Sequence, residues 1–346
     1  MVENNKKWFA GLEALRGLLF ILIFLSHSGS FITSYGLWGG AAVSTFFIMG
    51  GFLSGYKYRY HDVNIFNECI FNLWKKIKKF YPLYFIMLLV AALGLNKGSL
   101  KVFVENLLLV QSWFGRESAL SFNWISWFLS SIMFCYLIDP IINRLSNRIE
   151  DKEYKFLFVF VALLIGFECI FSYIWRGNAE PDSNGYYVLY LSPYARLIDY
   201  SIGIIVGKIY RNTTVEINEN TSTLFEGLAL LIYIFILAIG DHIPYNIKAT
   251  TIWAVPSIVI VILFANSNGR IAKWCASNNF LRYLGKRSFE LFLIHRMVLV
   301  FFERFACSPI SVLSSFIVSI LAAETYRSME KLVKKMIKIR KKSSLW

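Results

Sequence analysis

Arg16 and His27 stand eleven residues apart inside the first membrane-length apolar stretch, AGLEALRGLLFILIFLSHSGSFI. Eleven residues at 3.6 per turn is close to three whole turns, so in a helix the two side chains share one face, about 16 Å apart along the axis. The His27 imidazole is a natural general base near neutral pH. Together the pair could serve both ends of one long ligand. Each side chain also has a plain reading: a histidine bonded to a backbone carbonyl inside a bundle, and an arginine snorkelling to the cytoplasmic interface.

Three further groups have chemistry to offer. In LWKKIKKFYPLYFI, Lys75, Lys76, Lys78 and Lys79 gather just before Pro82. Such a basic mouth suits phosphate groups, or simply anchors the topology. Arg196 and Asp199, three apart in YARLIDYSIGIIVG, are placed for an intrahelical pair that is either a structural clasp or part of a site. Glu290 and His295 fall in LGKRSFELFLIHRMVL, five apart and so on different faces, with His295 a second titratable candidate. Cys69, Cys135, Cys169, Cys275 and Cys307 show no metal or disulfide spacing.

The elements that must position these residues are transmembrane helices. The chain has 346 residues, is 56% hydrophobic and 17% aromatic, and its mean hydropathy is +0.52, beyond an ordinary soluble domain. The composition predicts an all-α polytopic membrane protein with about ten helices in one bundle, a single domain over 1–346. The spans are expected near 14–34, 40–57, 79–96, 123–144, 156–175, 193–210, 224–240, 248–266, 286–305 and 310–328. Between spans, Leu100, Phe103, Val104, Leu107 and Leu108 recur at helical spacing and read as an interfacial helix. Trp113, Trp124 and Trp127 read as an outer aromatic belt, and Gly203 with Gly207 as a close-packing face.

The net charge of +14 is mostly a topology signal. Of the 36 Lys and Arg, 27 fall in alternate connecting segments and the termini, 5 in the remaining segments and 4 inside spans. That alternation puts both termini in the cytoplasm. The basic tail at about 329–346 then suits anionic lipid better than nucleic acid, and no nucleic-acid partner is expected. The first stretch reads as a retained span rather than a signal peptide, because Glu13 and Arg16 interrupt it.

These residues, taken in order, resemble the acyltransferase-3 family of bacterial integral membrane acyltransferases. Arg16 to His27 is similar to that family's first-span Arg-x10-His motif. Phe46, Phe47, Gly50, Gly51 and Phe52 resemble its Phe-Phe-x-x-Ser-Gly-Phe element, with Gly50 in the Ser position. Lys76 and Lys79 before Tyr81-Pro82-Leu83-Tyr84 stand where the family has two arginines. Trp127-Phe128-Leu129-Ser130, with Tyr136 and Pro140, resembles its Trp-x-Leu-Ser element. Arg196, Asp199, Tyr200, Gly203 and Gly207 resemble its sixth-span pattern. Leu284, Gly285, Ser288 and His295 resemble Ser-Tyr-x-x-Tyr-Leu-x-His, with Phe289 and Phe292 replacing the tyrosines.

The resemblance implies a multi-pass protein of the bacterial cytoplasmic membrane. It implies an acyl-CoA donor entering from the cytoplasm, a glycan acceptor on the outer side, no cofactor beyond that co-substrate, and His27 and Arg16 as essential residues. On this reading Lys76, Lys79 and Arg16 hold the CoA phosphates, and the pantetheine arm follows the face of the first span towards His27. His27 then deprotonates the acceptor hydroxyl or takes the acyl group itself. Trp127, Ser130 or a backbone amide near Gly50-Gly51 would meet the developing oxyanion, and Arg196, Asp199 and His295 would support the acceptor side. The competing reading is a transporter or flippase in which Arg16, His27, Arg196, Asp199 and His295 line a polar pathway.

Overall fold

The computed structural model describes residues 9–28, 35–60, 62–95, 98–150, 153, 155–178, 183–213, 217–304 and 309–343. Among these residues the regular structure is entirely helical. Helices of eight residues or more are α1 (Ala10–His27), α2 (Tyr35–Lys57), α3 (Ile65–Leu95), α4 (Leu100–Leu107), α5 (Trp127–Glu150), α6 (Phe156–Ile174), α7 (Pro193–Asn212), α8 (Glu219–Ala238), α9 (Ala254–Asn266), α10 (Arg270–Ser277), α11 (Asn279–Glu303) and α12 (Pro309–Ser343). Each predicted span overlaps one of them, residues 29–34 of the first lying outside the described residues, and α4 is the short helix expected between the third and fourth.

Six of the helices, α1, α3, α5, α6, α8 and α12, are long and apolar enough to cross a membrane, and α9 with α10, bent by 68°, makes a seventh if counted as one span. The chain is thus an all-helical, multi-pass membrane protein. The outer helices show their apolar side chains: Phe158, Leu163 and Phe167 on α6, Leu231 and Phe235 on α8, and Leu313 and Leu321 on α12 are all exposed. In contrast, α2, α7 and α11 lie inside, burying Ser44, Thr45, Arg196, Asp199, Lys208, Glu290 and His295. Protein, not lipid, is their solvent.

Two glycine-mediated crossings set the geometry. A Cβ at Gly51 would overlap the Tyr200 carbonyl oxygen, and one at Gly203 the carbonyl oxygen of Ile48, so α2 and α7 touch backbone to backbone. Gly55 meets Ile204 and Gly207 meets Phe52, with numbers rising together, so the two helices run parallel. Likewise a Cβ at Gly17 would overlap the Leu281 carbonyl and one at Gly285 that of Glu13. Further along, His27 reaches His295, so α1 and α11 are parallel too.

Several boundaries move. α3 begins at Ile65 rather than near 79, so Lys75, Lys76, Lys78 and Lys79 are helical and lie within α3. At 31 residues, α3 exceeds the roughly 20 needed to span the hydrocarbon. The basic tail is the continuation of α12 through Ser343. Trp127 is buried and packs on Tyr190 at 5.0 Å, so it does not belong to a lipid-facing aromatic belt. Cys69, Cys135, Cys169 and Cys275 are free thiols, while Cys307 lies outside the described residues.

Candidate active site

His27 closes the last turn of α1, and its Nδ1 lies 2.9 Å from Nε2 of His295 on α11. The parallel crossing explains the meeting. From Gly17 to His27 and from Gly285 to His295 is ten residues each, about 15 Å of rise, so the two imidazoles arrive at one level. The Nδ1 of His295 sits 2.7 Å from the Phe292 carbonyl oxygen and 3.1 Å from that of Leu291. A carbonyl oxygen only accepts, so this nitrogen carries the proton and Nε2 keeps the lone pair. His27 therefore donates its Nδ1–H to His295, and the lone pair of His27 is left on Nε2. The bonding pattern assigns both tautomers in series, leaving His27 Nε2 free to take a proton.

The surroundings hold this pair still. His295 is fully buried, with Phe20, Phe292 and Phe24 at ring distances of 5.8, 5.9 and 6.0 Å. His27 is only partly buried and meets the Trp124 ring at 5.3 Å. Asn123 fixes that segment by donating from Nδ2 to the Leu293 carbonyl oxygen at 3.1 Å.

A cavity of about 420 Å³ runs along the same face of α1, lined by Arg16, Phe20 and Ile23. Lys76 and Lys79 of α3 face it, with Tyr136, Glu13, Glu290 and Arg327. A second cavity of about 500 Å³ lies beside it, sharing the lining residues Arg16, Gly50, Lys76 and Tyr136, and adds Lys57, Arg59 and Lys75. Two of the acids are paired with other cations: Glu13 lies 3.2 Å from Arg282 and 3.7 Å from Lys286, and Glu290 lies 3.4 Å from Arg327, while Asp139, which lines the second cavity, accepts from the Ser54 and Tyr200 hydroxyls. Arg16, Lys76 and Lys79 enter no ion pair among the described residues, although Lys76 sits 4.4 Å over the Tyr136 ring. Three uncommitted cations around a chamber make an anion site. His27 lines neither cavity. The last α1 residue of the chamber is Ile23, four residues or about 6 Å below His27. Phe128 and Phe292, with rings 5.2 Å apart, also line the chamber.

Residues 9–323 match the family model described as an acyltransferase domain. The chain belongs to the acyltransferase-3 family. Among curated proteins, Acyltransferase MdmB of Streptomyces mycarofaciens is 25% identical over 288 residues, covering 77% of this chain and 70% of the relative. No solved structure matches the chain. The protein is an acyltransferase acting on groups other than amino-acyl groups.

In this acyltransferase the remaining candidates from the sequence lie away from the two histidines. Arg196 uses all of its guanidinium nitrogens: Nε donates to the Tyr190 carbonyl, Nη1 to Ser44 Oγ and to Asp199 Oδ2 at 2.6 Å, and Nη2 to the Leu189 and Ala249 carbonyls. With Arg196 0% and Asp199 1% exposed, the pair is a clasp that ties the 187–191 turn and residue 249 to α7. Ser130 is buried and accepts from the Ser112 amide and hydroxyl. Gly50 faces Tyr200 across the α2–α7 crossing. The sequence offers no direct pairing of His295 with His27 and no role for Arg296. The signal available was the equal ten-residue interval from glycine to histidine on both helices.

Proposed function

We propose that the protein is an O-acyltransferase of the bacterial cytoplasmic membrane. It moves an acetyl group from cytoplasmic acetyl-CoA to a hydroxyl of a cell-surface or exopolysaccharide glycan, with ten crossings and both termini inside. The observation that carries this reading is the row Arg16, Phe20, Ile23 and His27 on one face of α1. Its lower end borders a chamber with three uncommitted cations, and its upper end is a histidine with a fixed tautomer. The parallel directions of α1 with α11 and of α2 with α7 support an odd number of crossings between the members of each pair, as ten spans require.

In this reading Arg16, Lys76 and Lys79 bind the phosphates of CoA, and the pantetheine arm passes Phe20 and Ile23. The thioester then covers the last turn to His27. The Nε2 of His27 takes the proton of the acceptor hydroxyl as its oxygen attacks the thioester carbonyl, and returns that proton to the departing CoA sulfur. A transient acyl-His27 would use the same nitrogen. His295 touches no substrate and acts as a positioning residue. The transporter reading draws no support from Arg196 and Asp199, whose bonds are spent on each other and on backbone.

Purified protein incubated with labelled acetyl-CoA and glycan tests this, comparing wild type with His27→Ala. Label is expected on the glycan with wild type and to fall by about 10²–10⁴-fold with the variant. Label that reaches neither glycan nor protein with the wild type would sink the reading.

A further inference from the structure

Arg296 follows His295 on α11 and so projects about 100° around the helix from it. Its Nη1 donates to Glu303 Oε1 at 2.7 Å and to the backbone carbonyl oxygen of His27 at 3.3 Å. The guanidinium lies 5.2 Å over the Trp124 ring, which itself meets the His27 ring at 5.3 Å. The charge is therefore tied to the base twice, through the backbone of His27 and through the tryptophan that flanks it.

The other edge of this guanidinium is unspent. Nε is buried with no hydrogen-bond partner, and no acceptor bonds Nη2 among the described residues. The side chain is 16% exposed. An Nε–Nη2 edge is a planar fork of two N–H donors, matched to a concentrated negative oxygen. Two of the oxyanion donors expected from the sequence are engaged elsewhere: Ser130 with Ser112, and Gly50 at a helix crossing.

We propose that Arg296 is a further catalytic residue, whose free Nε–Nη2 edge holds the oxyanion that forms when the thioester carbonyl is attacked beside His27. This rests on the acyl-CoA reading above. As the acceptor oxygen bonds to the carbonyl carbon, its proton passes to His27 Nε2 and the carbonyl π electrons move onto oxygen, facing Arg296. Collapse restores the carbonyl, breaks the C–S bond and returns the proton from His27 to the thiolate, so no other reagent is consumed. Glu303 holds Nη1 and leaves the Nε–Nη2 fork unbonded among the described residues.

The test is steady-state transfer by Arg296→Gln, Arg296→Lys and His27→Ala. It is joined by binding of acetyl-CoA and of a CoA phosphonate analogue that carries a tetrahedral anionic oxygen in place of the thioester carbonyl. Arg296→Gln is expected to lower kcat about 10²–10³-fold with both KM values within about twofold. It should also weaken the phosphonate analogue by a similar factor while acetyl-CoA binds as before. Arg296→Lys, which keeps the charge without the fork, should recover only part of the rate. A wild-type kcat in either variant, or a raised acceptor KM at unchanged kcat, overturns the proposal. If Arg296→Gln no longer binds acetyl-CoA, the Lys variant alone decides between these outcomes. Wild-type turnover by His27→Ala would instead remove the underlying mechanism, whatever Arg296 does.

Discussion

At the scale of the residue, the unusual feature is two histidines in series anchored by a backbone carbonyl instead of a carboxylate. A carbonyl fixes the tautomer without adding a negative charge to an apolar surrounding, where an ion is costly. His295→Ala removes the acceptor for His27 Nδ1–H and lets the imidazole take either tautomer. A kcat loss on the order of 10²-fold is expected, part of the 10²–10⁴ that a positioned base contributes. The KM for acyl-CoA should stay the same, because His295 is absent from the chamber lining; equal effects on KM and kcat would argue against a positioning role. Arg16→Ala and Lys76→Ala should show the reverse split. Each loses one charged contact to phosphate, about 1.5–3 kcal/mol and so roughly tenfold or more in donor KM, read most directly as CoA binding by calorimetry. Arg16 and His27 were legible in the sequence because charge and titratable groups inside an apolar run are rare and costly. The partnership of His27 with His295 was not, since 268 residues separate them and only the fold aligns the levels.

At the scale of the element, function depends on hydrogen atoms where side chains would otherwise be. Gly285 places α11 against α1, and a Cβ there meets backbone, which cannot turn aside as a side chain can. Gly285→Val should destabilise the protein by about 1–3 kcal/mol, lowering the melting temperature in detergent and pushing the imidazoles apart. Gly166 on the lipid-facing α6 is the control, since nothing lies within 4 Å of a Cβ there. Gly166→Ala should leave melting unchanged or raise it, the helix gaining up to about 1 kcal/mol; two equal losses would contradict the crossing. Arg196→Ala belongs to the same scale. Leaving Asp199 buried and unpaired should cost about 3–5 kcal/mol and remove activity through stability rather than through kcat. Helix positions were readable from apolar runs, and Gly203 with Gly207 announced a close crossing. The start of α3 was not readable, because its first turns carry Asn, Glu and Lys, which look like a loop to a reading based on hydropathy.

At the scale of the whole molecule, length and apolarity mark six helices as spans, or seven with the bent pair, while the distribution of Lys and Arg calls for ten. The physical difference lies in what surrounds each helix. α2, α7 and α11 are the inner ones, where glycine, serine and paired charges are solvated by neighbouring helices, so their mean apolarity understates their capacity to cross. Direction supplies an independent constraint. α1 is parallel to α11, and α2 to α7, so each pair must be separated by an odd number of intervening crossings. With α3, α5 and α6 between α2 and α7 there are three. With α2, α3, α5, α6, α7, α8 and α9 between α1 and α11 there are seven, provided α9 crosses. Dropping the inner helices α2 and α7 together would preserve the second parity but would leave two buried, parallel helices with no route across. The count therefore turns on the stretch from α6 to α8. Reporter fusions at Asn178, after α6, and at Asn212, at the end of α7, should report opposite sides of the membrane. The same side for both would mean that α7 does not cross, which would put Arg196 and Asp199 at an interface and overturn the ten-crossing arrangement.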